Sequence, residues 1–260
     1  MLKHNPKYML TLILLMIFTG CSVKEVRDGC PCRLILDFSD TDTLAVRELH
    51  AYAVDEVGTV FGSKLSAKQF MPEYHLEVMR SRLLVNVCAG DEGMYVPGKG
   101  LSIPYGEDCP ETYMYWREID MAGEYVRDTV ILCKNHCVLT LIIEKEDSPL
   151  YDMCLKGNVD GYGVDGLPSE GRFSYLLSGP GLMEHRAVLP RQLDSSLMLE
   201  VNDGTEIIKC IALGELISAG GYDWNSPDLE DLTVHMDWAS TDIVVTVQGW
   251  GWSYEYEIVI

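Results

Sequence analysis

Basic residues are scarce in this chain. Its 260 residues include 20 Lys and Arg against 40 Asp and Glu, which gives a formal net charge of −20. So acidic a surface repels phosphate backbones and anionic headgroups, so we predict no nucleic-acid partner. The apolar run near the start, Met9 to Phe18, covers about ten residues, half of what a membrane-spanning helix needs. We therefore predict no transmembrane helix there.

Catalytic motifs are also missing. No Gly-rich phosphate loop, His-Glu-x-x-His motif or Gly-x-Ser-x-Gly motif occurs, and the six histidines are scattered singly. His136 lies between two cysteines but lacks the second ligand pair that a zinc site needs. We predict that the protein is not an enzyme and has no cofactor, no metal site and no small-molecule substrate.

What the chain does contain is a short export leader. Lys3 and Lys7 precede the apolar run, and the small pair Thr19–Gly20 stands directly before Cys21. This layout is typical of a signal peptide, and the small pair before the cysteine resembles a bacterial lipobox. We predict a signal peptide over residues 1–20 and lipidation of Cys21, the alternative being an ordinary signal peptide with a chance cysteine. Several acyl chains, at about 0.8 kcal/mol per buried CH₂, would hold the protein stably on a membrane.

Nine cysteines are present, and lipidation of Cys21 would leave an even eight. An exported chain can form disulfides, but their connectivity cannot be deduced from sequence. The stretch "CKNHC" predicts a three-residue turn that places Cys133 opposite Cys137. A bridge between these two and a pair of free core thiols both remain open.

The dominant sequence period is two. Cys32, Leu34, Leu36 and Phe38 fall on one face of a predicted first strand. Many similar short runs follow, with turn residues between them and one short helix at "LGELISAGG". The charged stretch "EKEDSP" suggests a domain boundary. We predict an all-β protein with a linker at 21–29 and β-sandwich domains at 30–146 and 147–260.

The end of the sequence has the strongest alternation. One parity of the predicted last strand carries six large apolar residues: Trp250, Trp252, Tyr254, Tyr256, Ile258 and Ile260. The parity changes at Gly249, which indicates a turn or bulge. This strand either completes its own domain or acts as a donor strand that fills a groove in another subunit.

Several of these stretches together resemble the FimB-like anchor subunits of Bacteroidales fimbriae. They are the lipobox cysteine, "CPC" with the alternating first strand, "VRELHAYAVDEVGTVFG", "SRLLVNVCAGDEGMY", "DTVILCKNHCVLTLIIE" and "STDIVVTVQGW". The resemblance implies two tandem transthyretin-like β-sandwiches with Greek-key character and little helix. Stalk subunits of such pili lose their first strand by cleavage after an arginine, whereas anchors keep the lipid and the strand. Arg33 and Arg47 are predicted to lie within strands, which favours an anchor.

The resemblance implies an outer-membrane lipoprotein at the base of a fimbrium, whose partners are a stalk subunit and, through lipid, the membrane. Cys32 to Phe38 would fill the chain's own groove, and the last strand would be the donor. Two other readings stay open. One is a lipidated glycan-binding protein that uses Trp116 or Trp224, and the other is a trimmed tip or stalk subunit.

Overall fold

The computed structural model describes residues 30–43, 45–90, 93–96, 98–144, 152–177, 183–238, 242–249 and 252–259, with backbone alone for 144 and from 237 onward. Two short helices occur in these ranges, α1 (Ala67–Phe70) and α2 (Leu213–Ala219). The strands are β1 (Pro31–Asp37), β2 (Glu48–Val54), β3 (Thr59–Ser66), β4 (Glu73–Met79), β5 (Arg82–Ala89), β6 (Tyr95–Val96), β7 (Gly100–Ser102), β8 (Tyr113–Asp120), β9 (Tyr125–Thr129), β10 (Cys133–Lys134), β11 (His136–Glu144), β12 (Asp152–Tyr162), β13 (Pro168–Leu177), β14 (Glu184–Pro190), β15 (Met198–Asn202), β16 (Ile207–Ile211), β17 (Leu232–Trp238), β18 (Asp242–Gly249) and β19 (Trp252–Val259).

The N-terminal sandwich consists of two sheets, in the strand orders β4-β1-β9 and β10-β8-β5-β2-β3. Alternate residues of each strand face inward because successive side chains of a strand point to opposite faces. Their apolar side chains form one buried cluster, which includes Leu34, Leu36, Phe38, Leu49, Phe70, Leu83, Val85 and Met121.

The C-terminal sandwich also has two sheets. One has the order β16-β15-β12-β7-β6 with β13 also paired to β12, and the other has the order β14-β11-β17-β18-β19. Strands β6 and β7 come from the N-terminal half of the sequence but pair here, through Leu101 opposite Tyr162 and Ser102 opposite Gly161. The first half of the chain therefore contributes to the second sandwich.

Strand β11 departs from the predicted domain boundary. It pairs antiparallel with β14 and parallel with β17, so it belongs to the C-terminal sandwich. β1 makes the equivalent pairings in the N-terminal sandwich, antiparallel with β4 and parallel with β9. By sheet pairing, the change of sandwich falls between β10 and β11, about ten residues before the predicted boundary at 146. The charged stretch that suggested this boundary begins at Glu144, the last residue of β11, and the rest of it lies outside the described residues.

The two sandwiches share a continuous core. Tyr52, Cys88 and Met114 of the N-terminal sandwich belong to the same buried cluster as Leu155 and Leu199 of the C-terminal one. Asn135, the residue between β10 and β11, is fully buried and donates its backbone N–H to the carbonyl of Thr112 over 3.0 Å. The junction is thus packed and hydrogen-bonded.

The prediction of an all-β sandwich protein is confirmed. The longest helix within the described ranges, α2, has seven residues, and none there could cross a membrane. The predicted helix is present as α2, while α1, β4, β6, β7 and β14 were not predicted. Of these strands, β4 and β14 form edges of their sheets, and exposed residues such as Glu77 and Arg186 weaken their apolar signal.

Candidate functional site: the first strand and the C-terminal hairpin

The first strand lies at the centre of its sheet. β1 pairs with β4 over seven residues, from Pro31 opposite Met79 to Asp37 opposite Glu73. On its other side it pairs with β9. The four side chains predicted to fill the chain's own groove are at most 1% exposed: Cys32, Leu34, Leu36 and Phe38. β1 therefore occupies both a hydrogen-bonding position and a set of core pockets.

The outer face of this sheet carries a charged network. Arg127 of β9 donates from Nε and Nη2 to Oδ2 of Asp37, over 3.2 and 2.8 Å. The same Nη2 donates to Oε1 of Glu73 on β4 over 2.5 Å. Nε2 of His75 lies 3.0 Å from the other oxygen of Glu73. The network therefore links all three strands of the sheet.

Two groups hold the Asp37 carboxylate. Ser39 hydrogen-bonds Oδ1 with both its hydroxyl and its backbone N–H, and Arg127 binds Oδ2. These hydrogen bonds, those from Ser39 first, lower the pKa of Asp37 to about 2. The carboxylate is therefore charged at neutral pH. It ends β1 and shapes the turn that follows.

A second acid ties β9 to the opposite sheet. Asp128 is buried and accepts hydrogen bonds from the Tyr115 hydroxyl and, over 2.7 Å, from Nη1 of Arg117. Burial, followed by the neighbouring Asp128, raises the pKa of Tyr115 well above its ordinary value. Because both partners belong to β8, this contact joins the two sheets of the N-terminal sandwich. β9, the strand beside β1, is thus also held from the core side.

The segment between β1 and β2 corrects one sequence prediction. Arg33 lies in β1 as expected, but Arg47 lies just before β2 at an exposed bend. Both sides of this bend are held: Val46 is buried and donates its N–H to the carbonyl of Asp42 over 2.8 Å, and the carbonyl of Arg47 accepts from the N–H of Ala67. The strand predicted to contain Arg47 begins only at Glu48, because the apolar Val46 packs inward from a loop.

In this structure the C-terminal strand pairs with a strand of its own chain. β19 runs antiparallel to β18, with Gly249 opposite Trp252, and forms the outer strand of its sheet. The chain thus reverses at the predicted turn. Of the predicted donor residues, Trp252, Tyr254, Tyr256 and Ile258 lie in β19, opposite Gly249, Val247, Val245 and Ile243. Trp250 and Ile260 lie outside the described residues.

The cysteines give a second correction. Cys133 and Cys137 do not flank a hairpin, because β10 pairs with β8 whereas β11 belongs to the other sandwich. Both are free thiols here, and burial raises the pKa of Cys137 to about 12. The basis for a bridge across the turn is therefore absent. Cys21, the predicted lipidation site, lies outside the described residues.

The aromatic residues considered for glycan binding pack against other side chains and are not exposed as a binding surface. Trp224 is only 5% exposed and meets Tyr222 edge-on, with ring centroids 4.8 Å apart. Trp116 is half-buried and packs against the core, and a Cβ on Gly166 would lie 2.3 Å from its ring. Neither ring forms an open stacking platform. Within the described ranges, no group of three His, Cys, Asp or Glu residues is arranged to hold a metal.

No protein-family model and no curated protein matches this chain. Solved structures do match. The fimbrial anchor protein Mfa2 from Porphyromonas gingivalis superposes with a TM-score of 0.61 at 15% identity, over 87% of this chain and 100% of that one.

This chain shares its fold with a fimbrial anchor protein. Two further structures are similar: a candidate polysaccharide-binding protein from Bacteroides thetaiotaomicron and a candidate adhesin from Bacteroides ovatus. The first has a TM-score of 0.63 at 14% identity, over 86% of this chain and 98% of its own. The second has a TM-score of 0.59 at 13% identity, over 87% and 95%. At these identities the likeness establishes the two-sandwich fold.

Sequence reasoning missed the charged network on the first sheet. Its members, Asp37, Glu73 and Arg127, are up to 90 residues apart in the chain. Each occupies an exposed parity of its strand, and that parity was the available signal. No local pattern, however, indicates that β9 lies beside β1.

Proposed function

We propose that this protein is an outer-membrane lipoprotein that anchors a fimbrium to the cell surface and limits its polymerisation. In this proposal Cys21 carries the acyl chains, and the N-terminal sandwich keeps its own first strand. β19 is offered to a stalk subunit, which is the partner. The fold shared with Mfa2 supports the proposal, since that protein is described as a fimbrial anchor.

The position of β1 is the observation that carries the proposal. An incoming strand needs free backbone groups and empty pockets, as in other cases of strand addition. Here β1 pairs on both sides, and its three inward side chains and that of Phe38 directly after it are at most 1% exposed. While β1 remains in place, no further subunit can use this groove, so a polymer would end at this molecule.

The mature N-terminus tests the proposal directly. We expect mass spectrometry of the protein from the producing cells to find an acylated Cys21 followed by an intact β1. The Cys21→Ser variant should appear in the medium together with fimbriae. Retention of this variant in the membrane would contradict the lipid anchor.

The exposure of Arg47 favours one alternative, a trimmed stalk or tip subunit. Cleavage after Arg47 would leave a chain that begins at Glu48, without lipid and without β1. The same mass measurement separates the two functions, because a fragment starting at Glu48 would overturn the anchor. The Arg47→Ala variant is the matched control, since it should abolish trimming if trimming occurs.

The role of β19 needs its own test, because β19 is paired with β18 here. Thr246 and Glu255 are register partners, and partners in a strand pair lie close enough for a disulfide. The Thr246→Cys, Glu255→Cys double variant should lock the hairpin when oxidised and stop stalk attachment, and reduction should restore it. The Thr246→Cys variant alone serves as the control. Attachment through a locked hairpin would contradict the donor role.

A further inference from the structure

The charged network on the first sheet lies across the strand that the proposed function requires to stay in place. β1 is the middle strand, β9 supplies Arg127 on one side and β4 supplies Glu73 on the other. The guanidinium reaches Asp37 on β1 and Glu73 beyond it, so its contacts join the two neighbours over the outer face of β1. Directly between β9 and β4 in the register lies Ile35, opposite Arg127 and His75.

From this arrangement we propose that Arg127, Asp37 and Glu73 form a latch that retains β1 in its groove. The inner face of β1 packs into the core, so the strand can only leave outward or by sliding along its axis. An outward path is closed by the contact between Arg127 and Glu73. A sliding path breaks the paired hydrogen bonds from Arg127 to Asp37.

The geometry favours a specific contact over a chance surface ion pair. Arg127 meets Asp37 through two nitrogens, and such forked contacts are more directional than single ones. The side chain of Asp37 is only 13% exposed, and its other oxygen is held by Ser39. Three charged groups thus act as a network, the case in which surface charges contribute measurably.

The latch sits at the end of β1 that leads into the loop carrying Arg47. At the other end Arg33 makes a longer contact, 3.6 Å, with Glu77 between more exposed side chains. If β1 opened from the end that carries Arg33, Asp37 would still be bound to Arg127. Loss of the latch would instead release β1 at Asp37, the end from which the chain continues to β2. The latch explains retention of β1, and its importance for a pilus rests on the proposed function.

Hydrogen exchange on the full-length chain tests the latch. The variant is Arg127→Met, which keeps the aliphatic stem and removes the fork. We expect the amides of β1 to exchange about fivefold faster than in the wild type, while those of β5 and β8 keep their rates. The matched control is Arg82→Met, because Arg82 pairs with Glu118 on the other sheet at 3.0 Å and both side chains are exposed.

Two further variants keep the test decisive. Glu73→Gln removes the ion pair between Arg127 and Glu73 over the outer face of β1, and it should also accelerate exchange in β1. Arg127→Lys keeps the charge without the fork, and it should lie between wild type and Arg127→Met even if the Met variant folds poorly. β1 rates unchanged in Arg127→Met and Glu73→Gln, or raised equally in β5 and β8, would overturn the latch. No pilus enters this experiment, so its result does not depend on the proposed anchor function. The latch can be confirmed when the anchor function is contradicted, and the anchor function can be confirmed when the latch is contradicted.

Discussion

Nε of Arg191 donates a hydrogen bond to the side-chain oxygen of Asn135 over 3.1 Å, at the residue where the chain passes from one sandwich to the other. The guanidinium also donates to the backbone carbonyls of Trp224, Ser226 and Pro227. Arg191 is only 9% exposed. A buried cation therefore ties the junction to the loop that follows α2.

Replacing Arg191 should destabilise the whole chain. In Arg191→Met the carbonyls of Trp224 and Ser226 lose buried donors, so we expect the free energy of unfolding to fall by about 2–4 kcal/mol. Urea denaturation measures this change. Arg82→Met, at a side chain that is 70% exposed, should cost less than about 0.5 kcal/mol. Equal effects of the two substitutions would show that the junction contributes no special stability.

Alanine substitutions at two glycines with similar backbone angles distinguish backbone strain from a steric clash. Gly100 and Gly106 have φ of +94° and +91°, but a Cβ at Gly100 would lie 2.0 Å from the carbonyl oxygen of Tyr162, whereas Gly106 is open. We expect Gly106→Ala to cost about 1–2 kcal/mol from the left-handed conformation. Gly100→Ala should cost about 1–3 kcal/mol more, because it pushes β7 from β12. Equal unfolding midpoints in urea would contradict the close approach of these strands.

Acid should weaken the hold on the first strand in a defined pH range. The pKa of Asp37 is lowered from 3.8 to about 2 in the folded state, so the folded protein favours the charged carboxylate. Its contribution is present above about pH 4 and is lost as the pH falls through about 2. The thermal midpoints of wild type and Asp37→Asn should therefore differ above pH 4 and converge towards pH 2. A constant difference over this range would contradict the assignment.

Trp224 should matter for stability rather than for sugar binding. Its ring is buried against Tyr222, so Trp224→Ala should lower the free energy of unfolding by about 3–5 kcal/mol. Tyr105→Ala, at a side chain that is 70% exposed, is the control and should have little effect. Loss of glycan affinity in a Trp224→Ala protein of unchanged stability would instead revive the glycan-binding reading.

Local patterns in the sequence predicted much of the architecture. Leu34, Leu36 and Phe38 share one parity of the first strand and are buried as expected. The parity change at Gly249 corresponds to the reversal between β18 and β19. The predictions failed where local signals conflicted: Val46 is apolar but lies in a loop, and "CKNHC" has the spacing of a turn but spans two sandwiches.

Alternation along a strand is a local property, so the sequence alone predicts that the chain is built of strands and which residues of the first strand face inward. Which strands are neighbours is set by the tertiary structure. It placed β11 with the C-terminal strands and β9 beside β1, so that Arg127 reaches Asp37 from 90 residues away. Strand pairing depends on backbone hydrogen bonds between distant segments and on shared core packing. Neither can be deduced from the spacing of residues within one segment.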